Sequence, residues 1–295
     1  MGKGALMSLV IFGYGYSARY FVQHYGKDFA PITATVREPN RAQQLSTPKC
    51  KVIAFGDTTD AALLPALQQA RFLLISAPPH LTGDPVLEKL AEEICGLTNL
   101  ERIVYLSTIG VYGDYQGAWI DESALLKPGN ERSRWRLAAE EEWQAIGRQL
   151  NVPTHVLRLA GIYGPGQNAL TQIKAGTARR IVKKDQVFNR IHVEDIARSI
   201  KACLETEEAG AVWNVCDDEP SPPQDVLTFA ADLLGRPPPP EINFETADLS
   251  PMARSFYSEC KRCSNRALKE KLGVELAFPT YREGLQVLLE TGDGK

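Results

Sequence analysis

The amino-acid sequence predicts an α/β fold with a doubly wound parallel sheet, and three observations support this prediction. Apolar runs of strand length recur through the first half of the chain and are mostly continuous rather than alternating, as in parallel strands that are buried on both faces. Segments with helical patterning separate these runs. A glycine-rich turn directly follows the first run. Such alternation of strand and helix indicates a sheet that is covered by helices.

The elements predicted for the first domain, residues 1–160, alternate in order along the chain. The strands are Leu6–Phe12, Ile32–Val36, Lys51–Phe55, Phe72–Ser76, Ile103–Ser107 and Thr154–Leu159. The helices, several of which open on Ser, Thr, Asp or Pro, are Ser17–Tyr25, Thr59–Ala70, Pro85–Leu97 and Ser133–Leu150.

The pattern becomes less regular after about Gly161 and predicts a smaller C-terminal substrate lobe, residues 161–295, of which segments at about 190–216 return to the sheet. It includes a basic stretch, Lys174–Lys184. The Pro237–Pro240 run is expected to be a stiff connector; a role as a partner's ligand is less favoured, because ordered segments are expected on both sides. The predicted helices are Gln224–Leu234, Lys261–Leu272 and Tyr281–Leu289.

Charge and hydropathy exclude several classes of partner. The formal net charge is -3 and no long block of like charges occurs, so neither a nucleic-acid footprint nor a polybasic membrane patch is expected. No run approaches the roughly 18 apolar residues of a membrane-spanning helix. The segment Met1–Val10 leads straight into the glycine turn and is expected to form a strand rather than a signal peptide. We therefore expect a soluble, cytoplasmic protein.

Six cysteines are spread along the chain, mostly in apolar segments, which is typical of reduced thiols in an intracellular protein. Cys260 and Cys263 have the spacing of a metal or redox pair. A zinc site needs about four ligands, and a redox pair is expected in a thioredoxin-like unit. The sequence therefore predicts two ordinary thiols and no metal.

The glycine turn directly follows the first predicted strand and opens the first predicted helix. This context favours a Rossmann-type dinucleotide-binding unit, in which the glycines let the backbone approach a pyrophosphate and the alanine allows close packing of helix on strand. The helix N-terminus adds N–H donors. A purely structural tight turn is the alternative. The predicted cofactor residues of the turn are Gly13, Tyr14, Gly15, Tyr16, Ser17 and Ala18.

Arg37 follows the second predicted strand, where an acidic residue would bind the ribose hydroxyls of NAD. A guanidinium there is suited to a 2′-phosphate, so NADP is favoured over NAD. A solvated surface arginine is the alternative. Asp57, after the third strand, is predicted to contact the adenine. Ser76, which ends the fourth strand, and Ala77, directly after it, are further predicted cofactor residues.

Five segments, in the right order, are similar to those of the extended short-chain dehydrogenase/reductases, the NAD(P)-dependent epimerase/dehydratase group. The resemblance covers nearly the whole chain and is strongest to atypical members with a shortened glycine motif. The segments are Leu106–Gly113, Leu157–Gly166, Arg190–Ala197, Trp213–Asp218 and finally Lys261–Leu272 with Tyr281–Gly284.

The resemblance implies that Thr108, with Ser107 beside it, hydrogen-bonds the reacting oxygen; a strand-end hydroxyl bonded to its own backbone is the alternative. The Tyr-x-x-x-Lys pair of the family is missing. The register set by Leu137–Glu140 places Arg132 at the tyrosine position and Arg136 at the lysine position. A guanidinium stays protonated, so Arg132 cannot exchange a proton as a phenol does.

The two arginines have both functional and structural interpretations. Arg136 can bond the nicotinamide ribose, and Arg132 can clamp a carboxylate or phosphate of the substrate. Alternatively, both belong to a solvated helix face that pairs with Glu140 and Glu141.

Four residues are candidates for a replacement proton donor, namely Tyr112, Tyr115, Tyr163 and His192. Each also has a packing role by resemblance, because Tyr112 and Tyr163 occupy positions near the cofactor pocket and His192 lies in a segment that shapes the substrate lobe. We count Tyr112, Tyr163 and His192, with Thr108 and Arg132, as predicted substrate residues.

Two functions follow from these predictions. The first is an NADP-dependent oxidoreductase or epimerase/dehydratase-like enzyme that acts on a small, anionic or sugar-derived substrate. The second is a catalytically silent dinucleotide-binding or sensing protein that kept the fold and lost the acid/base pair. The resemblance also implies a homodimer through the predicted helix Ser133–Leu150.

Overall fold

The computed structural model describes residues 7–293, and the chain divides into two compact units. The described part of the first unit consists of residues 7–108, 131–158 and 197–213. The second contains residues 109–130, 159–196 and 214–293. The sequence-based division at residue 160 differs for residues 109–130, which lie in the second unit. Leu6 and the start of the Met1–Val10 segment lie outside the described residues.

A seven-stranded parallel sheet organises the first unit and confirms the predicted fold class. Its strands are β1 (Leu9–Phe12), β2 (Ile32–Val36), β3 (Lys51–Ala54), β4 (Phe72–Ile75), β5 (Arg102–Thr108), Thr154–Leu159 and Val212–Val215. They lie in the order Val212–Val215, Thr154–Leu159, β5, β4, β1, β2, β3. Val10 is opposite Thr33 on one side and Leu73 on the other. The strand order reverses between β1 and β4, the place where ligands bind in open α/β sheets.

The helices of the first unit largely follow the predicted alternation. They are α1 (Tyr16–Tyr25), α2 (Pro39–Leu45), α3 (Leu63–Gln68), α4 (Leu87–Cys95) and α5 (Glu131–Leu150), with Val193–Glu205 ending in this unit. The predicted helix from Thr59 begins only at Leu63. The segment before it is a turn, in which Asp60 accepts hydrogen bonds from the N–H groups of Ala62 and Leu63. Helix α2 was missed, since it buries only Ala42 and so has no apolar period.

The core of the first unit is apolar on the sheet and on the helix faces that cover it. Trp143 of α5 and Tyr105 of β5 are fully buried there with Leu73 and Ile75 of β4. Truncating one such aromatic side chain to Ala typically costs about 3–5 kcal/mol. This packing fixes α5 against β5, which sets the position of every side chain at the start of α5.

The second unit contains short strands that form two-stranded parallel pairs. Gly161–Tyr163 pairs with Arg190–His192, Arg180–Val182 with Glu241–Asn243, and Trp119–Ile120 with Arg262–Cys263. The helices wholly in this unit are Ala169–Lys174, Pro223–Leu233, Pro251–Phe256, Arg266–Glu270 and Tyr281–Glu290. A helix predicted from Lys261 begins only at Arg266, because Arg262–Cys263 forms a strand and the Asn265 amide is bonded to the Cys216 carbonyl.

Residues 7–293 contain neither a membrane-spanning helix nor a cluster of metal-binding side chains. No helix in this range is long and apolar enough to cross a membrane. No group of three or more His, Cys, Asp or Glu side chains in it could hold a metal ion. All six cysteines are free thiols; Cys263 is buried, and the Cys260 Sγ donates to the Asp185 carbonyl over 3.4 Å.

Candidate functional site

The glycine turn joins β1 to α1 and is fixed by backbone contacts. Gly13 has φ +91°, and a Cβ on it would lie 2.5 Å from the Ala77 nitrogen. The Gly13 N–H donates to Thr35 Oγ1 over 3.1 Å, and the Tyr14 N–H donates to the Thr35 carbonyl over 2.8 Å. Only glycine fits this conformation and this approach to the backbone after β4.

Open space lies beside Gly15, at the start of α1. A Cβ built on Gly15 would meet no atom within 4 Å, and no side chain caps the helix. The ten-residue helix has no acidic residue in its first turn. Such a terminus offers N–H donors and a positive dipole end to an anion. The open space and the bare helix terminus therefore fit the pyrophosphate of a dinucleotide.

The side chains of the turn differ in orientation. Tyr14 is buried beside Cys50; burial raises the pKa of Tyr14, and it raises the pKa of Cys50 to about 11. Ser17 and Ala18 are also buried, with Ala18 fully covered. Tyr14 can therefore contact a ligand only through its backbone, because its ring is buried in the protein core.

The adenosine-end candidates lie on adjacent loops. Arg37 follows β2 and Asp57 follows β3, and both are exposed. Gly56 is so close to the first loop that a Cβ on it would lie 2.9 Å from the Arg37 carbonyl oxygen. Within residues 7–293, neither the Arg37 nor the Asp57 side chain makes a hydrogen bond or ion pair. Ser76, after β4, donates its N–H to the Phe12 carbonyl over 2.8 Å, next to the turn.

Arg136 of α5 is anchored to β5. Its Nη1 donates to the Leu106 carbonyl over 2.9 Å and to the Tyr105 hydroxyl over 3.2 Å, and its guanidinium carbon is 5.6 Å from the Tyr105 ring centre. The alternative interpretation, in which Arg136 pairs with Glu140 on a solvated face, is wrong, because Glu140 pairs with Arg158. Arg136 thus presents a fixed positive charge beside the end of β5.

A buried ion pair that sequence reasoning missed lies behind Thr108. Glu140 and Arg158 are 1% and 4% exposed, and their closest atoms are 2.8 Å apart. Ser107 donates its hydroxyl to Glu140. Successive strand residues point to opposite faces, so Ser107 is committed to this pair while Thr108, the last residue of β5, is half-buried. An arginine inside the strand Thr154–Leu159 was the available signal.

A second buried carboxylate, Asp84, lies near Arg136. It accepts hydrogen bonds from the Trp143 indole N–H over 3.1 Å and from the Val86 N–H over 2.9 Å. Burial raises the pKa of Asp84, and the hydrogen bond from Trp143 is the largest opposing effect. The positive charge of Arg136 also favours the ionised form. The sequence did not single out Asp84, because it lies in a loop without a motif.

Arg132 lies in the first turn of α5 and is exposed. It precedes Arg136 by four residues, so the two side chains lie on the same helix face. The structure therefore brings Thr108, Arg132 and Arg136 to the end of β5 and the adjoining start of α5, within one unit. Their contacts with a ligand stay predictions.

The candidates of the second unit are buried and have partners inside the protein. Tyr112 is fully buried and donates to Asn214 Oδ1 over 2.7 Å; Tyr163 donates to the Thr280 carbonyl over 3.3 Å. His192 accepts the Glu194 N–H at Nδ1 over 3.1 Å, and burial lowers the pKa of His192 to about 4. His192 is therefore neutral near pH 7. A substrate contact of these residues stays a prediction.

Tyr115 also has an intramolecular partner. Its hydroxyl donates to the Leu125 carbonyl over 2.6 Å, and the Lys127 ammonium lies 4.6 Å from its ring centre. It is thus held within its own loop, as the packing alternative predicts.

Comparisons with known proteins agree with this architecture. The NAD dependent epimerase/dehydratase family matches residues 87–216. A solved structure of a functionally unknown conserved protein from Silicibacter pomeroyi DSS is 45% identical, covers 96% of this chain and 98% of its own, and has a TM-score of 0.87.

Two further relatives are more distant. The 3-diazoavenalumate denitrifying reductase of Streptomyces sp is 29% identical over 181 residues, 56% of this chain and 58% of that protein. The chain spans at most 65% of the length of the curated relatives it matches. UDP-glucuronic acid 4-epimerase from Bacillus cereus, solved with UDP-glucuronic acid and NAD, is 18% identical over 96% of this chain and 98% of its own, with a TM-score of 0.76. At that identity the likeness shows the fold alone.

Proposed function

The chain belongs to the NAD-dependent epimerase/dehydratase family, and we propose that it is an NADP-dependent oxidoreductase or epimerase that acts on a small anionic or sugar-derived substrate in the cytoplasm. The observation that carries the proposal is the glycine turn. Open space beside Gly15 adjoins a helix terminus without a side-chain cap. That arrangement supports binding of a dinucleotide pyrophosphate.

The residues that would hold the cofactor follow the carboxyl ends of β1 to β4. The turn Gly13–Ala18 would bind the pyrophosphate through backbone N–H groups, with Ser76 and Ala77 beside it. Arg37 would bind the 2′-phosphate, which favours NADP, and Asp57 would contact the adenine. The bound nicotinamide supplies or accepts a hydride.

At the nicotinamide end of the site, the side chains of the protein would orient the substrate and polarise its reacting oxygen. Thr108 would donate its hydroxyl to the reacting oxygen, because it ends β5 and its neighbour Ser107 is already committed to Glu140. Arg136, anchored to the Leu106 carbonyl, would bond the nicotinamide ribose. Neither Arg132 nor Arg136 can move a proton at neutral pH, so both act as fixed charges.

The substrate class follows from the charge at the start of α5. Arg132 and Arg136 are two permanent cations one helix turn apart, which supports a carboxylate or phosphate on the substrate. The Bacillus cereus neighbour was solved with UDP-glucuronic acid, and the Streptomyces relative is a reductase; both are consistent with an anionic substrate and hydride chemistry. A substrate role for Tyr112, Tyr163 and His192, which belong to the second unit, stays a prediction.

A catalytically silent, sensing protein is the second candidate function. The replacement of the family's tyrosine by Arg132 favours it, because the usual proton donor is absent from its position. The burial of Tyr163 and His192 favours it as well, since both already have partners inside the protein.

Titration of the purified protein with NADPH and NADH, followed by intrinsic fluorescence, tests the shared premise. We expect both to bind and NADPH to bind more tightly; Arg37→Asp should reverse that preference. If neither dinucleotide binds, both candidate functions fail.

Turnover separates the two candidates. We expect hydride transfer with a panel of carboxylate-bearing carbonyl compounds and sugar nucleotides, and its loss in Thr108→Ala and Arg132→Ala. Arg134→Ala is the matched control, since Arg134 is exposed on the same helix. Tight cofactor binding without turnover would favour the sensor.

Light scattering would test the proposed homodimer through α5.

A further inference from the structure

Lys89, the third residue of α4, bridges this helix to the loop after β3. Its Nζ donates to the Gly56 carbonyl oxygen, and it lies 5.6 Å from the centre of the Phe55 ring. Lys89 is exposed. An ammonium group has three donors and Gly56 uses one of them, so two remain for a ligand. No motif in the sequence singles out this lysine.

Gly56 also touches the loop that carries Arg37. A Cβ on Gly56 would lie 2.9 Å from the Arg37 carbonyl oxygen and 3.4 Å from its Cβ. The Lys89 ammonium contacts the Gly56 carbonyl oxygen, and the start of the Arg37 side chain packs against the same glycine, so Gly56 is a neighbour that the two cations share. Both belong to the first unit; Arg37 follows the carboxyl end of β2, and Lys89 reaches from α4 to the loop that follows β3.

We propose that Lys89 and Arg37 together form the binding site for the 2′-phosphate of NADP, which makes Lys89 a residue that determines cofactor specificity. The inference rests on the proposed function. A phosphate monoester carries nearly two negative charges at pH 7, whereas one exposed guanidinium supplies a single, screened charge. A second cation balances the phosphate, and lysine binds phosphate well as a point charge.

Lys89 has a simpler possible role, namely holding the loop at Gly56 in place, and the two roles have different consequences. A loop-holding contact supports the adenosine site as a whole, so its loss weakens NADPH and NADH alike. A phosphate contact acts on NADPH alone, because NADH has hydroxyls at that position.

Isothermal titration of the intact protein with NADPH, NADH, 2′-AMP and 5′-AMP at low salt tests the proposal. We expect Lys89→Met to weaken NADPH roughly tenfold, as for the loss of one charge-assisted contact, to weaken 2′-AMP similarly, and to leave NADH and 5′-AMP within about twofold. Lys89→Arg should retain the preference. Lys27→Met is the control for net charge, since Lys27 is exposed after α1.

Three results would overturn the proposal. Equal weakening of NADPH and NADH by Lys89→Met would identify a loop contact, and unchanged affinity for both would leave Lys89 without a role in binding. Wild-type protein that binds NADH but not NADPH would remove the phosphate site while sparing the dinucleotide site. Wild-type protein that binds neither dinucleotide would instead contradict the proposed function. Melting curves of Lys89→Met and of a second variant, Lys89→Gln, show whether the substituted proteins are folded.

Discussion

The glycine turn and the start of α5 are two parts of one unit that are built in different ways. At the turn, backbone atoms of Gly13, Thr35 and Ala77 fix the geometry. At the start of α5, side chains do so, through Arg136 on the Leu106 carbonyl. A family can change side chains without losing its fold, whereas a backbone cradle tolerates few substitutions. This is consistent with a glycine turn that keeps the family's pattern while, by the resemblance, Arg132 and Arg136 stand at the positions of the family's tyrosine and lysine.

The largest effect is expected at the buried ion pair beneath α5. Arg158→Met leaves Glu140 as an unpaired buried charge, so we expect about 3–5 kcal/mol of lost unfolding free energy in chemical denaturation. Arg71→Met is the matched control, because Arg71 makes a similar bond to Glu101 at the surface; an exposed pair contributes at most about 1 kcal/mol. Equal losses in the two variants would mean that burial of the Glu140 pair is unimportant.

Two alanine substitutions in the glycine turn test two different requirements, the backbone conformation at Gly13 and the open space beside Gly15. Gly13→Ala forces a Cβ to 2.5 Å from the Ala77 nitrogen at φ +91°. We expect this variant to lose roughly 2–4 kcal/mol of unfolding free energy and also to lose dinucleotide binding. Gly15→Ala places its methyl in open space, so the melting temperature should stay close to wild type while NADPH binding falls. A Gly15→Ala protein that binds normally would contradict the position of the pyrophosphate.

Strands and most helices of the first unit were predictable because apolar periodicity and the glycine turn are local signals. The pair Glu140–Arg158 and the contact of Lys89 with Gly56 were not, since they join residues far apart in sequence. Arg136 lies in α5, where the helical pattern predicted it, but its anchor on β5 depends on how α5 packs through Trp143. The short strands of the second unit were missed as well, because two or three residues carry no periodicity.

Acid should weaken the fold through a histidine on the strand that carries Arg158. His155 is fully buried and accepts the Trp213 indole N–H over 3.1 Å, and burial lowers the pKa of His155 from 6.5 to about 4. The unfolded chain therefore binds more protons between these pH values, and stability falls as the pH drops through them. From pH 7 to 5 the loss is on the order of 2 kcal/mol for this group.

His155→Gln, which keeps an acceptor for the indole, provides the comparison. Denaturant unfolding at pH 7 and pH 5 should show a smaller acid loss in this variant than in the wild type. The same loss in both proteins would assign the acid sensitivity to other groups, with His192 of the second unit the next to test.

The smallest effect is expected from Arg136, and it bears directly on the contrast between the two regions. If the guanidinium bonds the nicotinamide ribose, Arg136→Met should weaken NADPH roughly fivefold, which corresponds to about 1 kcal/mol, the net contribution of one typical hydrogen bond. Arg136→Lys should recover part of this, since an ammonium reaches the Leu106 carbonyl but lacks the planar fork. Arg134→Met is the control on the same helix. Unchanged NADPH affinity in Arg136→Met would mean that the side chain serves only to fasten α5 to β5, and that the cofactor depends on the backbone cradle alone.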